Sequence, residues 1–123
     1  MQLSTIVLAQ HDHTIAEGLE NDLYAYFARV VVAKSIVELR TLLLRHEARV
    51  AVLDLEVVNL EEIRKLSRTF DNLTIVCTHH SPDERMWMDA LNAGAMEFCH
   101  PQDIRSILRA SRAAPKRQTA MAS

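Results

Sequence analysis

The chain contains Arg49-Val50-Ala51-Val52-Leu53-Asp54-Leu55, a run of small and branched apolar residues that ends on a carboxylate. Because the apolar residues are consecutive rather than alternating, this segment predicts a strand covered on both faces, as in the middle of a parallel sheet. Asp54 would then be a charge at the end of that strand. A carboxylate in such a place is costly unless it is paired, hydrated or used, so Asp54 is the first candidate functional residue. The alternative is that it only caps the strand end or the next helix.

Four other short apolar segments predict further strands, at 5–9, 29–33, 73–78 and 95–99. Five segments with apolar residues at helical spacing follow the strands, and the first is predicted over roughly 13 to 28. Strict alternation of strands and helices implies right-handed crossovers. The sequence therefore predicts an α/β fold, with a parallel sheet covered by helices on both faces.

Helix boundaries are predicted from capping residues. Ser35 with Glu38 matches a capping box, and Asn59 is a second candidate N-cap. We expect the fourth helix to be capped at Ser81, with Pro82 at its first position, and to end at the left-handed residue Gly94; the fifth is expected to begin at Pro101.

Length and composition exclude several classes of protein. A chain of 123 residues predicts one domain, placed at residues 1–113, with a disordered tail at 114–123. A net charge of -2 gives no electrostatic case for binding nucleic acid, and no apolar run approaches the roughly 18 residues of a membrane span. No secretion signal is visible, so we expect a cytoplasmic protein.

Classical enzyme chemistry is not predicted. Two glycines, Gly18 and Gly94, are too few for a phosphate-binding loop or a dinucleotide fingerprint. Cys77 and Cys99 lack a CxxC spacing and fall inside predicted strands, so they are interpreted as buried thiols of a reducing compartment. We therefore expect a protein that is not an enzyme.

Polar residues follow the ends of the predicted strands. In an open parallel sheet the ligand site lies at the carboxyl ends of the strands. Four of the six histidines fall there, although loops are polar by default. The polar residues at these ends are Gln10, His11, Asp12, Asp54, Thr78, His79, His80 and His100.

The order of elements and a few residues resemble the receiver domain of two-component response regulators over about residues 3 to 113. The residues that carry the resemblance are Asp54, Thr78, Gly94-Ala95, Phe98 and His100-Pro101. The resemblance implies a CheY-like, flavodoxin-like fold with five parallel strands in the order 2-1-3-4-5, and a role in phosphorelay signal transduction.

The same resemblance implies roles for individual residues. In that family the aspartate at the position of Asp54 accepts a phosphoryl group from a histidine kinase. A magnesium ion bridges it to two acidic residues after the first strand. Residues at the positions of Thr78 and His100, where the family has a lysine, bind phosphoryl oxygens, and an aromatic at the position of Phe98 moves inward on activation.

This chain departs from the family pattern in the pocket. Gln10 and His11 stand where the family has its acidic pair, and Asp12 lies one residue late. Magnesium requires near-octahedral oxygen ligation, so we expect magnesium binding to be weak or absent and no cofactor to be present. His100 replaces the lysine, which removes a fixed positive charge that phosphoryl transfer uses.

We therefore predict a degenerate receiver, or pseudo-receiver, that works mainly through protein contacts. The predicted surface comprises the fourth helix, the fifth strand and the fifth helix, with Arg85, Trp87 and Met88 as candidate contact residues, although Trp87 could instead pack against a neighbouring helix. Expected partners are a histidine kinase, a downstream signalling protein or a second copy of the chain.

Two alternatives remain at this point. Asp54 could be a working phosphoacceptor with altered cation chemistry. The pocket could also hold a transition metal or sense pH through its imidazoles. The candidate metal ligands are His11, Asp12, Asp54, His79, His80 and His100.

Overall fold

The computed structural model describes residues 3–113, and the tail predicted at 114–123 lies outside them. Strands and helices alternate along this part of the chain. The strands are β1 (Leu3–Ala9), β2 (Phe27–Val32), β3 (Val50–Asp54), β4 (Thr74–Thr78) and β5 (Glu97–Cys99). The helices are α1 (His13–Leu23), α2 (Ile36–Arg45), α3 (Leu60–Thr69), α4 (Glu84–Ala93) and α5 (Ile104–Arg112).

All neighbouring strands pair in parallel, in the order β2-β1-β3-β4-β5. The predicted α/β fold and its strand order are confirmed. The order reverses between β1 and β3, and in open parallel sheets the crevice at such a switch point is where ligands bind. Within residues 3–113, no helix combines the length and the apolar character needed to cross a membrane.

Strand β3 lies in the middle of the sheet, and all five of its residues are buried. Ala51 and Leu53 pack into the cluster that contains the buried faces of α2, α3 and α4. Val50 and Val52 pack on the opposite side with residues of α1 and α5. Both faces of β3 are therefore covered, which explains why its apolar residues do not alternate with polar ones. Asp54 is the last residue of the strand and lies at the carboxyl end of the sheet.

The first helix is shorter than predicted, because it ends at Leu23 instead of extending to residue 28. Phe27 continues the four-residue spacing of Leu19 and Leu23, but it is the first residue of β2 and is buried from the strand. The chain turns between them, where the N–H of Tyr26 donates to the carbonyl of Leu23. Apolar spacing alone could not separate a fourth helical turn from the start of a strand.

The predicted starts of the last two helices are also wrong. Asp83, not Ser81, is the N-cap of α4, and its side chain accepts a hydrogen bond from the N–H of Met86. Asp103, not Pro101, precedes α5 and accepts from the N–H of Ser106. In both cases an aspartate closer to the apolar repeat satisfies the free N–H groups of the first turn.

The other predicted caps are confirmed. Ser35 accepts from the N–H of Glu38 at the start of α2, and Asn59 accepts from the N–H of Glu62 at the start of α3. Gly94 ends α4 with φ +119°, a conformation that favours glycine.

Candidate functional site

Asp54 lies at the carboxyl end of β3, and both of its carboxylate oxygens accept main-chain hydrogen bonds. Oδ2 accepts from the N–H of His11 at 2.9 Å, and Oδ1 accepts from the N–H of Glu56 at 2.9 Å. The residue is only 9% exposed. The carboxylate therefore joins the loop after β1 to the loop after its own strand, and its burial is compensated by two charge-assisted bonds.

Gln10 and Thr78 connect the same edge of the sheet to β4. The side-chain amide of Gln10 donates to Oγ1 of Thr78 at 3.1 Å. Thr78 is fully buried, and it lies beside Asp54 in the register of β3 and β4. Its carbonyl accepts from the N–H of Leu55 at 3.0 Å. The predicted convergence of Gln10, Asp54 and Thr78 is therefore observed.

Asp12 serves the helix that follows it. Its Oδ1 accepts from the N–H of Thr14 at 2.8 Å and from that of Ile15 at 3.2 Å, so it is the N-cap of α1. The side chain is exposed. Helix capping engages Oδ1 and fixes the orientation of the carboxylate, so fewer of its lone pairs are available to a cation in the neighbouring crevice.

A cavity of about 230 Å³ lies over the carboxyl ends of the strands. Its walls bring together most of the predicted pocket residues with others that the sequence did not indicate. Thr78 is not among the lining residues, but it accepts a hydrogen bond from Gln10, which is. The lining residues are Gln10, His11, Asp12, Ile15, Asp54, Glu56, His80, His100 and Pro101.

His100 stands at this cavity with a defined pattern of donor and acceptor atoms. Its Nδ1 accepts a hydrogen bond from the N–H of Gln102 at 3.0 Å. In the neutral ring the hydrogen is then on Nε2, so His100 can act as a donor but not as a fixed cation. Phe98, in β5, is buried in the cluster on the α2, α3 and α4 side of the sheet.

Glu56 also lines this cavity, although its sequence position did not indicate a place there. Its Oε1 lies 3.3 Å from Nε2 of His79 and 3.5 Å from Nδ1 of His80. Among residues 3–113, these three side chains form a group that could hold a metal ion. The structure thus places His79 and His80 against Glu56, and His80 also lines the cavity with the predicted ligands His11, Asp12, Asp54 and His100. The only sequence signal was that Glu56 follows Asp54 by two residues at the functional edge.

The candidate contact residues lie on the outer face of α4. Trp87 is 44% exposed and Met88 52% exposed, and Arg85 is also exposed. A second cavity of about 470 Å³ lies beside Trp87, between α4, β5 and α5. The side chains that form it include Trp87, Phe98, His100 and Asp103.

Both cysteines are buried and free, as predicted. Burial raises the pKa of Cys77 from 9.0 to about 12, and burial, with a smaller effect of Asp103, raises that of Cys99 to about 12. Since the thiolate is the reactive form, neither thiol is prepared for nucleophilic chemistry near neutral pH.

Comparison with known proteins gives matches among solved structures alone. No family model matches the chain, and no curated protein matches it. A signal receiver domain of a response regulator from Bacteroides fragilis is 22% identical, with a TM-score of 0.81, over 92% of this chain and 100% of that one.

Two further matches have the same character. A response regulator from Thermotoga maritima is 19% identical, with a TM-score of 0.75, over 98% of this chain and 99% of that one. A response regulator from Burkholderia pseudomallei, solved with a phosphorylated aspartic acid, a calcium ion and citrate, is 19% identical, with a TM-score of 0.77, over 98% of this chain and 73% of that one. The chain therefore has the receiver-domain fold.

Proposed function

We propose that this chain is a receiver domain of two-component signalling that has become a pseudo-receiver, acting through protein contacts rather than through magnesium-dependent phosphorylation. The proposal rests on the hydrogen bonds that the carboxylate of Asp54 accepts. Both of its oxygens accept main-chain N–H groups, and one of these N–H groups belongs to His11, which stands where the resembled family has an acid. The carboxylate has a structural role that needs no cation.

The charge around the cavity supports this proposal. Three carboxylates line the cavity, those of Asp12, Asp54 and Glu56. Asp12 caps α1, and Glu56 lies against two imidazoles. The amide of Gln10 is directed at Thr78. Because magnesium needs oxygen ligands in near-ideal octahedral positions, this set is a poor magnesium site.

A magnesium titration tests this part of the proposal. A ligand that binds only the folded state raises the melting temperature, and the increase grows with the ratio of ligand concentration to Kd. We expect millimolar magnesium to leave the melting temperature of the wild type unchanged. The double variant Gln10→Asp/His11→Asp, which restores two acids, is expected to gain a magnesium-dependent increase. A wild type that magnesium stabilises as strongly as this variant would exclude the proposal.

The surface proposed for partner contact is the exposed face of α4 with the adjoining cavity. Trp87 presents a large, partly apolar ring beside Met88, and aromatic residues of this kind often anchor interfaces. The expected partner is a histidine kinase, a downstream signalling protein or a second copy of the chain.

Substitution of Trp87 tests the surface. Trp87→Ala is expected to weaken partner binding or self-association, measured by co-purification and analytical ultracentrifugation. Tyr24→Ala removes an exposed aromatic near the end of α1 and serves as the matched control. If Trp87→Ala left every partner contact and the oligomeric state intact, this surface would not be the functional one.

A working phosphoacceptor is the second candidate function, and one observation favours it. His100 can donate from Nε2 at the cavity that Asp54 also lines, so a hydrogen-bond donor is available for a phosphoryl oxygen. Chemical phosphorylation separates the two functions, because the pseudo-receiver requires no adduct and this alternative requires one on Asp54.

A further inference from the structure

A compact group of metal-binding side chains lies where the loops after β3 and β4 meet. Glu56 comes from the first loop, and His79 and His80 come from the second. Their potential ligand atoms all lie within 4.8 Å of one another. The side chains of His79, Glu56 and His80 are 13%, 38% and 66% exposed, so the group has a buried side and an open side.

The two distances from the Glu56 carboxylate to the imidazole nitrogens suit a tetrahedral ion. The bond lengths of Zn²⁺ to imidazole and carboxylate place neighbouring ligand atoms about 3.3 Å apart in a tetrahedral site. Glu56 Oε1 is 3.3 Å from His79 Nε2 and 3.5 Å from His80 Nδ1. Two imidazoles and one carboxylate are a donor set that suits zinc, copper or nickel and is unlike the all-oxygen set that magnesium prefers.

We propose that Glu56, His79 and His80 form a binding site for a divalent transition-metal ion, with Zn²⁺ as the best-fitting ion and a fourth position open to water. This site differs from the cation site that the receiver resemblance implies, and it does not depend on whether Asp54 is phosphorylated. Three protein ligands with one open position is a known zinc arrangement.

Binding requires a defined change at His79. In this structure Nδ1 of His79 accepts from the N–H of Ser81 at 3.0 Å, so the hydrogen of the neutral ring is on Nε2 and faces Glu56. A metal at Nε2 replaces that hydrogen. The proton moves to Nδ1, the ring stays neutral, and the N–H of Ser81 must turn away because Nδ1 no longer accepts.

His80 must also turn its ring. The rings of His79 and His80 are stacked, with centroids 4.3 Å apart and planes at 27°. The nitrogen lone pairs of two nearly parallel rings lie in separate planes and do not converge on one ion. His80 is exposed, so its ring can rotate at low cost. Zinc binding therefore separates the two stacked rings.

The site also contacts the candidate functional pocket through the main chain. The N–H of Glu56 donates to Oδ1 of Asp54, while its side chain would hold the metal. Glu56 and His80 both line the cavity that contains Asp54. A metal held here would place positive charge at the rim of that cavity.

The test is a zinc titration of untagged protein at pH 7.5, followed by calorimetry and by ¹H–¹⁵N NMR. The expected result is one ion per chain, with a large shift of the Ser81 amide signal. Glu56→Gln and His80→Ala should each weaken zinc binding by roughly 10-fold or more. Both changes lie at exposed side chains, and Glu56→Gln retains the main-chain bond to Asp54.

His13→Ala is the matched control, because His13 is an exposed histidine on α1 outside the group. It should bind zinc as the wild type does. A flat wild-type titration would overturn the proposal, and so would equal binding by the wild type, Glu56→Gln and His80→Ala. Zinc binding that leaves the Ser81 amide signal in place would exclude His79 as a ligand and overturn the three-ligand site.

Discussion

The main-chain N–H of His11 donates a 2.9 Å hydrogen bond to Oδ2 of Asp54. This bond joins the loop after β1 to the end of β3 across the point where the strand order reverses. The residue that replaces an acid of the resembled family thus contributes its main chain, not a second carboxylate, to the pocket. Asp54 is therefore held in place by main-chain groups of the polypeptide.

Asp54→Asn should destabilise the protein. The amide has one acceptor oxygen in place of two, so one of the N–H groups of His11 and Glu56 would lose a charged partner. We expect the free energy of unfolding to fall by about 1–3 kcal/mol, measured by urea denaturation.

Asp12→Asn is the matched control, because asparagine caps a helix about as well as aspartate. It should leave the stability of the protein nearly unchanged. An Asp54→Asn variant more stable than the wild type would mean that the carboxylate is strained in the pocket rather than stabilised by its hydrogen bonds.

Replacing each of the two glycines by alanine, one at a time, should change the free energy of unfolding in opposite directions. Gly94 has φ +119°, and a Cβ there would lie 2.6 Å from Cβ of Ser67 and closer still to its Oγ. Gly94→Ala should lower the free energy of unfolding by more than about 1 kcal/mol. At Gly18, inside α1, an added Cβ meets nothing within 4 Å, so Gly18→Ala should stabilise by about 0.5–1 kcal/mol. Denaturant unfolding measures both, and a reversed order would contradict the assigned geometry.

The buried thiols should make stability fall at high pH. Burial raises the pKa of both Cys77 and Cys99 to about 12. Above about pH 9 the unfolded chain loses thiol protons that the folded chain keeps, so the free energy of unfolding decreases from pH 9 toward pH 12. The double variant Cys77→Ala/Cys99→Ala should show a shallower decrease over this range. Parallel curves for the two proteins would exclude this contribution of the thiols.

The fold could be predicted from the sequence because its strongest signals are local. The unbroken apolar run of β3 requires cover on both faces, and alternation with helices leaves a parallel sheet as the outcome. The boundaries of helices and strands were harder to predict. Phe27 fits the spacing of α1 and the start of β2 equally well, and tertiary packing selects the strand.

Only part of the candidate site could be predicted from the sequence. Asp54, Gln10 and Thr78 were found because strand ends meet at one edge of a parallel sheet. Glu56 was not predicted because its contacts are with side chains of the neighbouring loop, His79 and His80, and no spacing in the sequence indicates those contacts.

Intact-mass spectrometry after treatment with acetyl phosphate shows whether Asp54 still accepts a phosphoryl group, which a pseudo-receiver would not do. The wild type should show no added phosphoryl group with or without magnesium, while a receiver domain with a complete acidic pair is modified in parallel. A phosphoryl adduct that forms on the wild type and is absent from Asp54→Asn would mean that this chain is a working phosphoacceptor and not a pseudo-receiver.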